Sequence, residues 1–298
     1  MPPSNKTYNW RSTKLPESAI GLRFVKNNPK VFGTQAMDEI RTIIFQNHFP
    51  EVKHAKRFIL SESLHEIQVC LTSDKKAIYI GAPGGMNAVY VCKGMFKGLH
   101  RVENIIFEYN SFHTDEAVSF AEMFKGCRSL KSVNVKEFKT GKSTTFCRMF
   151  DGCENLTELN MNGLDTSSAY EFTRMFNDCK RLKTLSLYNF YIHKGVRYSK
   201  YFNEKCDSVW FRVPPLITGM FAGCESLAEL DLKSFRTADV NNFSYMFENC
   251  RNLERLVIAK GGFIIQKDAV TDKMFAGCDK LGVENSNLMK GRPRESYM

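Results

Sequence analysis

Three groups of residues in this chain have types and spacings that could do chemistry. The stretch "FKTGKSTT", residues 138–145, holds Gly141, Lys142 and Ser143 in the order in which a phosphate-binding loop ends. Such a loop reads G-x-x-x-x-G-K-[ST], because its first glycine opens a nest of backbone N–H groups around the phosphates. That place is taken by Lys136, so the motif is incomplete. "GAPGGMNA", residues 81–88, is glycine-rich but precedes no long helix, and reads as a turn. The ten cysteines include no C-x-x-C pair, and the six histidines (His48, His54, His65, His100, His113 and His193) form no H-E-x-x-H pattern. No metal, cofactor or catalytic residue is therefore expected.

The cysteines follow a different rule, which is a repeat. The block Met-Phe-x-x-Cys-x-x-Leu occurs at Met123, Met149, Met175, Met220, Met246 and Met274, with a worn copy, "MFKGLHRV", at Met95. Successive starts are separated by 28, 26, 26, 45, 26 and 28 residues. Adding 26 to Met175 lands on "YFNEKC" at Tyr201, which reads as a hidden further copy. Ten and twelve positions past each start stand apolar residues, among them Ile105/Phe107, Val133/Val135, Leu159/Met161, Leu185/Leu187, Phe211/Val213 and Leu230/Leu232. The pattern L-x-x-L-x-L ends in a two-residue alternation that a short strand produces, and the Met-Phe block reads as a short helical turn. A unit of this size cannot bury its own apolar side, so copies must stack. The expected fold is an α/β repeat solenoid of leucine-rich-repeat type, with one short parallel strand per rung and helical turns on the opposite side.

Within that register Thr140, Thr166 and Thr237 occupy one place, which makes "TGKS" the counterpart of "TSSA" and "TADV", a connecting loop. Cys127, Cys153, Cys179, Cys224, Cys250 and Cys278 should form a buried column of small hydrophobes, with zinc binding or disulfides as the alternatives. Outward residues lie nine, eleven and thirteen past each start. Those expected to meet a ligand are Glu158, Asn160, Asn162, Thr184, Ser186, Tyr188, Trp210, Arg212, Asp231 and Lys233. Trp210 and Arg212 are expected one rung from Tyr188, and interfaces concentrate their energy in Trp, Tyr and Arg. Cover by Pro214 and Pro215 is the other reading of Trp210.

The segment "MFAGCESLAELDLKSFRTADVNNFSYMF", residues 220–247, resembles the BspA-like leucine-rich-repeat surface proteins of bacteria nearly throughout. The resemblance covers about residues 67–283. It implies a ligand-binding or adhesive repeat protein, usually exported and displayed on the cell surface.

Three segments are expected: a basic N-terminal segment and cap over 1–66, the repeats over 67–283, and a basic tail over 284–298. Residues 1–60 hold ten Lys/Arg against four Asp/Glu and residues 285–298 hold three against one, within a chain of formal charge +10. In the head, "TQAMDEIRTIIFQNHFP" spaces Met37, Ile40 and Ile44 on one helical face, while "KRFIL" and "IQVCL" read as strands. The opening residues lack the apolar core of a signal peptide, and no apolar run reaches the length of a membrane span, which points to the cytoplasm. The function expected is a monomeric, non-enzymatic scaffold that binds a protein or glycan on its strand face. The competing expectation is a basic cytosolic or injected protein whose head and tail engage nucleic acid or an anionic membrane, the head through Arg11, Lys14, Arg23, Lys26 and Lys30, with Tyr8 and Trp10 close by in sequence but without the aromatic interleaving of a single-strand platform.

Overall fold

The Met-Phe blocks decide the architecture, because their backbone N–H groups alternate between two kinds of partner. In the block at Met123, the N–H groups of Met123, Lys125 and Cys127 bond three residues back, to Phe120, Glu122 and Phe124. Those of Glu122, Phe124 and Gly126 bond across to Cys147, Met149 and Asp151 of the next copy at 2.7–2.8 Å. A helix would send every N–H back along its own chain. The alternation is enforced by left-handed residues flanking each block, Glu122 (φ 56°) and Gly126 (φ 71°), then Arg148 and Gly152, Arg174 and Asp178, Tyr245 and Asn249. An α-helix cannot pass through such positions. The second of them is Gly, Asn or Asp in each of these copies, the residues that tolerate this conformation.

The expectation of an α/β leucine-rich-repeat solenoid is therefore overturned. The structure, a computed structural model, describes residues 36–60, 66–192, 196–201 and 208–282. Among the described residues the single helix is α1 (Ala36–Glu39), and the helical turns expected opposite the strands are absent. The strands of the described residues are short and fall into one six-stranded and four two-stranded sheets. Tyr8, Trp10, Arg11, Lys14, Arg23, Lys26, Lys30 and the tail over 284–298 lie outside the described residues.

The largest sheet crosses residue 66. It contains β1 (Thr42–Gln46), β2 (Lys56–Leu60), β3 (Ile67–Leu71), β4 (Ala77–Gly81), β6 (Asn104–Phe107) and β8 (Ser132–Val133), in the order β2-β3-β4-β1-β6-β8. β5 (Met86–Asn87) pairs in parallel with β7 (Phe112–His113). The strands expected at "KRFIL" and "IQVCL" are β2 and β3. The helix expected around Ile40 and Ile44 is not found beyond α1. "TIIFQ" instead forms β1, with Ile43 and Phe45 buried and parallel partners on both edges, because β-branched residues alternating with a period of two suit a pleated strand.

Further along, β9 (Glu158–Asn160) pairs in parallel with β10 (Thr184–Ser186), and β13 (Glu229–Asp231) with β14 (Arg255–Val257). Equivalent residues of successive copies then meet in columns. Phe96, Phe124, Phe150, Phe176, Phe221, Phe247 and Phe275 stack face to face with centroids 5.2–5.9 Å apart and planes within 10°. The ladder passes from Phe176 to Phe221 without interruption, and the Phe176 N–H bonds to the Met220 carbonyl at 2.9 Å. The copies at Met175 and Met220 are thus direct neighbours.

That contact corrects the hidden copy at Tyr201. Residues 196–201 and 208–213 form an antiparallel pair, β11 (Val196–Tyr201) with β12 (Ser208–Val213), within a 45-residue step that exceeds the usual 26 by 19. Phe211 and Val213 match the repeat register because any strand alternates with a period of two. They belong instead to the inserted antiparallel pair.

Candidate functional site

The open face of the strands is where this fold presents variable side chains. On β9 and β10, Leu159 and Leu185 point inward and are buried, so their neighbours face out by the pleat. Glu158, Asn160, Thr184 and Tyr188 are exposed, and Asn162 and Ser186 are half-buried. The Thr184↔Glu158 and Ser186↔Asn160 register brings these expected ligand residues together. Asp231 and Lys233 lie on and just beyond β13, in the adjoining copy: Ser234 Oγ donates to the Leu187 carbonyl at 3.1 Å and to that of Phe190 at 2.7 Å. Trp210 and Arg212 do not join them. Both lie on β12, opposite Ser199 and Arg197 of β11, and not on a strand between β10 and β13.

Several of the polar residues on this face hold the backbone. Asn160 Oδ1 accepts the Asn162 N–H at 3.0 Å, Asp231 Oδ1 that of Lys233 at 2.9 Å, and Asn134 Oδ1 that of Lys136 at 3.0 Å. These are Asx turns that end each strand. Asn162 Oδ1 in turn accepts from Ser186 Oγ and from the Tyr188 N–H, at 2.9 and 2.8 Å. The signal for this role was present in the sequence as an Asn or Asp eleven places past the starts at Met123, Met149 and Met220. Once these duties are assigned, Tyr188 is the large side chain left among these expected ligand residues, 78% exposed, as is Tyr109 just past β6 at 79%.

The other sequence candidates have structural partners. Thr140, Thr166 and Thr237 are buried, and each Oγ1 donates to a carbonyl of the next copy, Asp165, Tyr191 and Ile264, at 2.7–2.8 Å. Ser143 Oγ donates inward to the Ala117 carbonyl at 2.7 Å, and Lys142 Nζ pairs with Glu116 at 2.7 Å. The "GKS" loop therefore turns its hydroxyl inward and its lysine to a carboxylate, and it has no phosphate-binding nest. Gly84 and Gly85, both at positive φ, make the turn that leads "GAPGGMNA" into β5.

The cysteine column is buried as expected, and it has a role that sequence reasoning missed. Each thiol donates to the phenylalanine carbonyl of the preceding copy: Cys127 to Phe96, Cys153 to Phe124, Cys179 to Phe150, Cys224 to Phe176, Cys250 to Phe221 and Cys278 to Phe247, at 3.0–3.3 Å. The Phe124 carbonyl also accepts the Cys127 N–H, so its two lone pairs are both used deep in the core. A buried carbonyl with one unmet lone pair explains a thiol where an alanine would pack. Burial pushes the Cys127 and Cys92 thiols up to about 12 and lifts those of Cys153 and Cys179 well above the ordinary range. Half-buried Cys147 is raised to about 11 by burial and then by the Glu171 carboxylate. None of these thiols is poised as a thiolate.

Charge around the Met-Phe blocks is organised by neighbouring copies. Lys97 and Lys125 both reach Glu122, at 2.7 and 3.3 Å, and Lys125 continues to Asp151 at 3.6 Å. The hydrogen bond from Lys97 holds the Glu122 carboxyl below its usual range, helped by the one from Lys125. Among the described residues no group of three or more His, Cys, Asp or Glu side chains could hold a metal ion, and no helix is long and apolar enough to cross a membrane.

Compared with known proteins, residues 86–209 and 213–288 match a family described as "Mycoplasma protein of unknown function, DUF285". No curated protein and no solved structure matches the chain.

Proposed function

This chain belongs to the family of Mycoplasma proteins of unknown function DUF285, and from that premise we propose that it is a non-enzymatic interaction protein that binds a protein or glycan ligand on its open strand face. One observation carries the reading: Tyr188 is 78% exposed beside β9, β10 and β13, whose other outward residues are polar or engaged in Asx turns. A tyrosine gives a large, rigid and amphipathic contact at low entropic cost, and tyrosine is enriched among residues that dominate binding energy. Thr184 and Glu158, paired and exposed further along the same strands, offer hydrogen-bonding groups. The high pKa of the buried thiols supports a non-catalytic role, because a protonated thiol is a poor nucleophile. The likeness to BspA-like surface proteins gives adhesion as the biological setting.

The test is a screen of the whole chain against glycans and host surface proteins, run in parallel with Tyr188→Ala. A ligand held by the native chain and weakened about tenfold or more by the substitution supports the reading. A ligand held equally by both places the contact elsewhere. Capture on heparin that falls steeply with salt, through the basic head, would favour the nucleic-acid or anionic-surface alternative.

A further inference from the structure

A cleft lies three copies away from Tyr188, where the repeat lengthens. Between the starts at Met95 and Met123 the step is 28 residues, not 26. The extra length bulges as a turn after β6: the Ser111 N–H bonds to the Glu108 carbonyl at 3.1 Å, and Asn110 takes φ 57°. The neighbouring copy at Glu137–Phe138–Lys139 has no such bulge. A cleft of about 270 Å³ opens between the long turn and the short one.

Its floor is aromatic. Phe107, Phe112 and Phe138 pack with centroids 5.0, 5.2 and 5.9 Å apart, and all are buried. Its back wall is fixed, because Met86 N–H bonds to the Ser111 carbonyl and His113 Nε2 lies 2.9 Å from the Gly84 carbonyl. A side chain at Gly85 would collide with the Asn110 carbonyl, so glycine is required there. The rim carries Glu108, Asp115 and Glu137 against Lys139. This is a local excess of negative charge on a chain whose formal charge is +10. Ser111, 1% exposed, also lines the cleft, and its Oγ is the buried side-chain oxygen or nitrogen without a hydrogen-bond partner among the described residues. An unmet buried hydroxyl costs stability unless something fills it.

We propose that this cleft is a socket for a primary ammonium on an unbranched alkyl stem, namely a lysine side chain of a partner polypeptide. The volume is below the 300–1,000 Å³ typical of small-molecule pockets, so one side chain fits better than a larger ligand. The apolar floor takes the methylene stem, which lysine buries readily. The ammonium carries three donors in a compact head, which meet the rim carboxylates and, as the 108–111 turn shifts on binding, the Ser111 hydroxyl, whose oxygen is closed off in the free protein. A neutral sugar would leave the rim charge uncompensated. The site goes beyond the strand-face reading, since it shares no residue with the Tyr188 surface and can fail or hold independently of it.

The test is a titration of the whole, isotope-labelled chain with Nα-acetyl-lysine amide, followed by backbone amide shifts. Saturable shifts over residues 108–113 and 137–139, larger than those from Nα-acetyl-norleucine amide and weakened by salt, are expected. An Asp115→Asn/Glu137→Gln variant should bind about fivefold more weakly or worse. Ser111→Ala should also lose affinity while its unfolding midpoint stays level or rises, because the unpaired hydroxyl is gone. Equal shifts with the norleucine amide, stronger shifts with N-acetylglucosamine, no shifts, or unchanged affinity in both variants would overturn the proposal.

Discussion

The two sides of a single repeat obey different rules. On the buried side the same residue recurs in copy after copy: the phenylalanine ladder, the cysteine column and the threonine column place equivalent groups one above another. On the open side each copy differs, with Asn134 and Lys136 in one, Asn160 and Asn162 in the next, and Ser186 and Tyr188 in the third. Repetition inside follows from stacking, because a group that satisfies the next copy must find its counterpart there. Variation outside is free of that demand, apart from the Asx positions that end the strands. The inside accounts for folding, and the outside is where partner choice can be written.

Perturbing the inside should therefore disturb many copies together, and the largest effect should come from pH. The column thiols have folded-state pKa values above the ordinary one near 8.5. The folded state then retains protons that the unfolded state releases. Their contribution is complete below about pH 8.5 and is lost as pH rises toward about 12, at up to about 1.4 kcal/mol per pH unit for each thiol. Denaturant unfolding measured from neutral to alkaline pH should show a steep loss of stability, and Cys127→Ala should make the slope shallower. A flat profile would mean that the thiols are not held protonated by the fold.

Next in size is Phe150→Ala, which interrupts the ladder between Phe124 and Phe176 and should destabilise the protein by about 3–5 kcal/mol in urea unfolding. Thr237→Val keeps the shape but removes both the bond to the Ile264 carbonyl and the one from the Ile264 N–H, for a cost of about 1–3 kcal/mol. Smallest is Lys142→Ala, which deletes an exposed ion pair with Glu116 and should change stability by about 1 kcal/mol or less. If Lys142→Ala proved as damaging as Thr237→Val, exposed ion pairs between copies would rank with the buried columns in holding them together.

Much of the buried side was legible in the sequence, because periodicity is the trace that stacking leaves. The alignment of Thr140, Thr166 and Thr237 identified the "GKS" loop as structural, and the cysteine spacing marked a buried column. The turn geometry was not legible. It depends on left-handed conformations at Glu122, Arg148 and Arg174, residue types that do not advertise a positive φ. The antiparallel pair β11–β12 mimics a copy in the sequence because Phe211 and Val213 fall in register by the alternation common to all strands. Trp210 was lost from the expected site for the same reason. The cleft beside Ser111 left only a two-residue insertion in the sequence, and nothing in the residue types shows that the hydroxyl is unpaired.

The claim that the repeated side folds the chain while the varied side binds is tested most directly on a Thr184→Ala/Tyr188→Ala variant. Its unfolding midpoint and its affinity for a ligand identified with the native chain should be measured on the same preparation. The account predicts a stability within about 0.5 kcal/mol of the native chain and an affinity lower by about tenfold or more. A variant that unfolds as early as Thr237→Val yet binds with native affinity would contradict it.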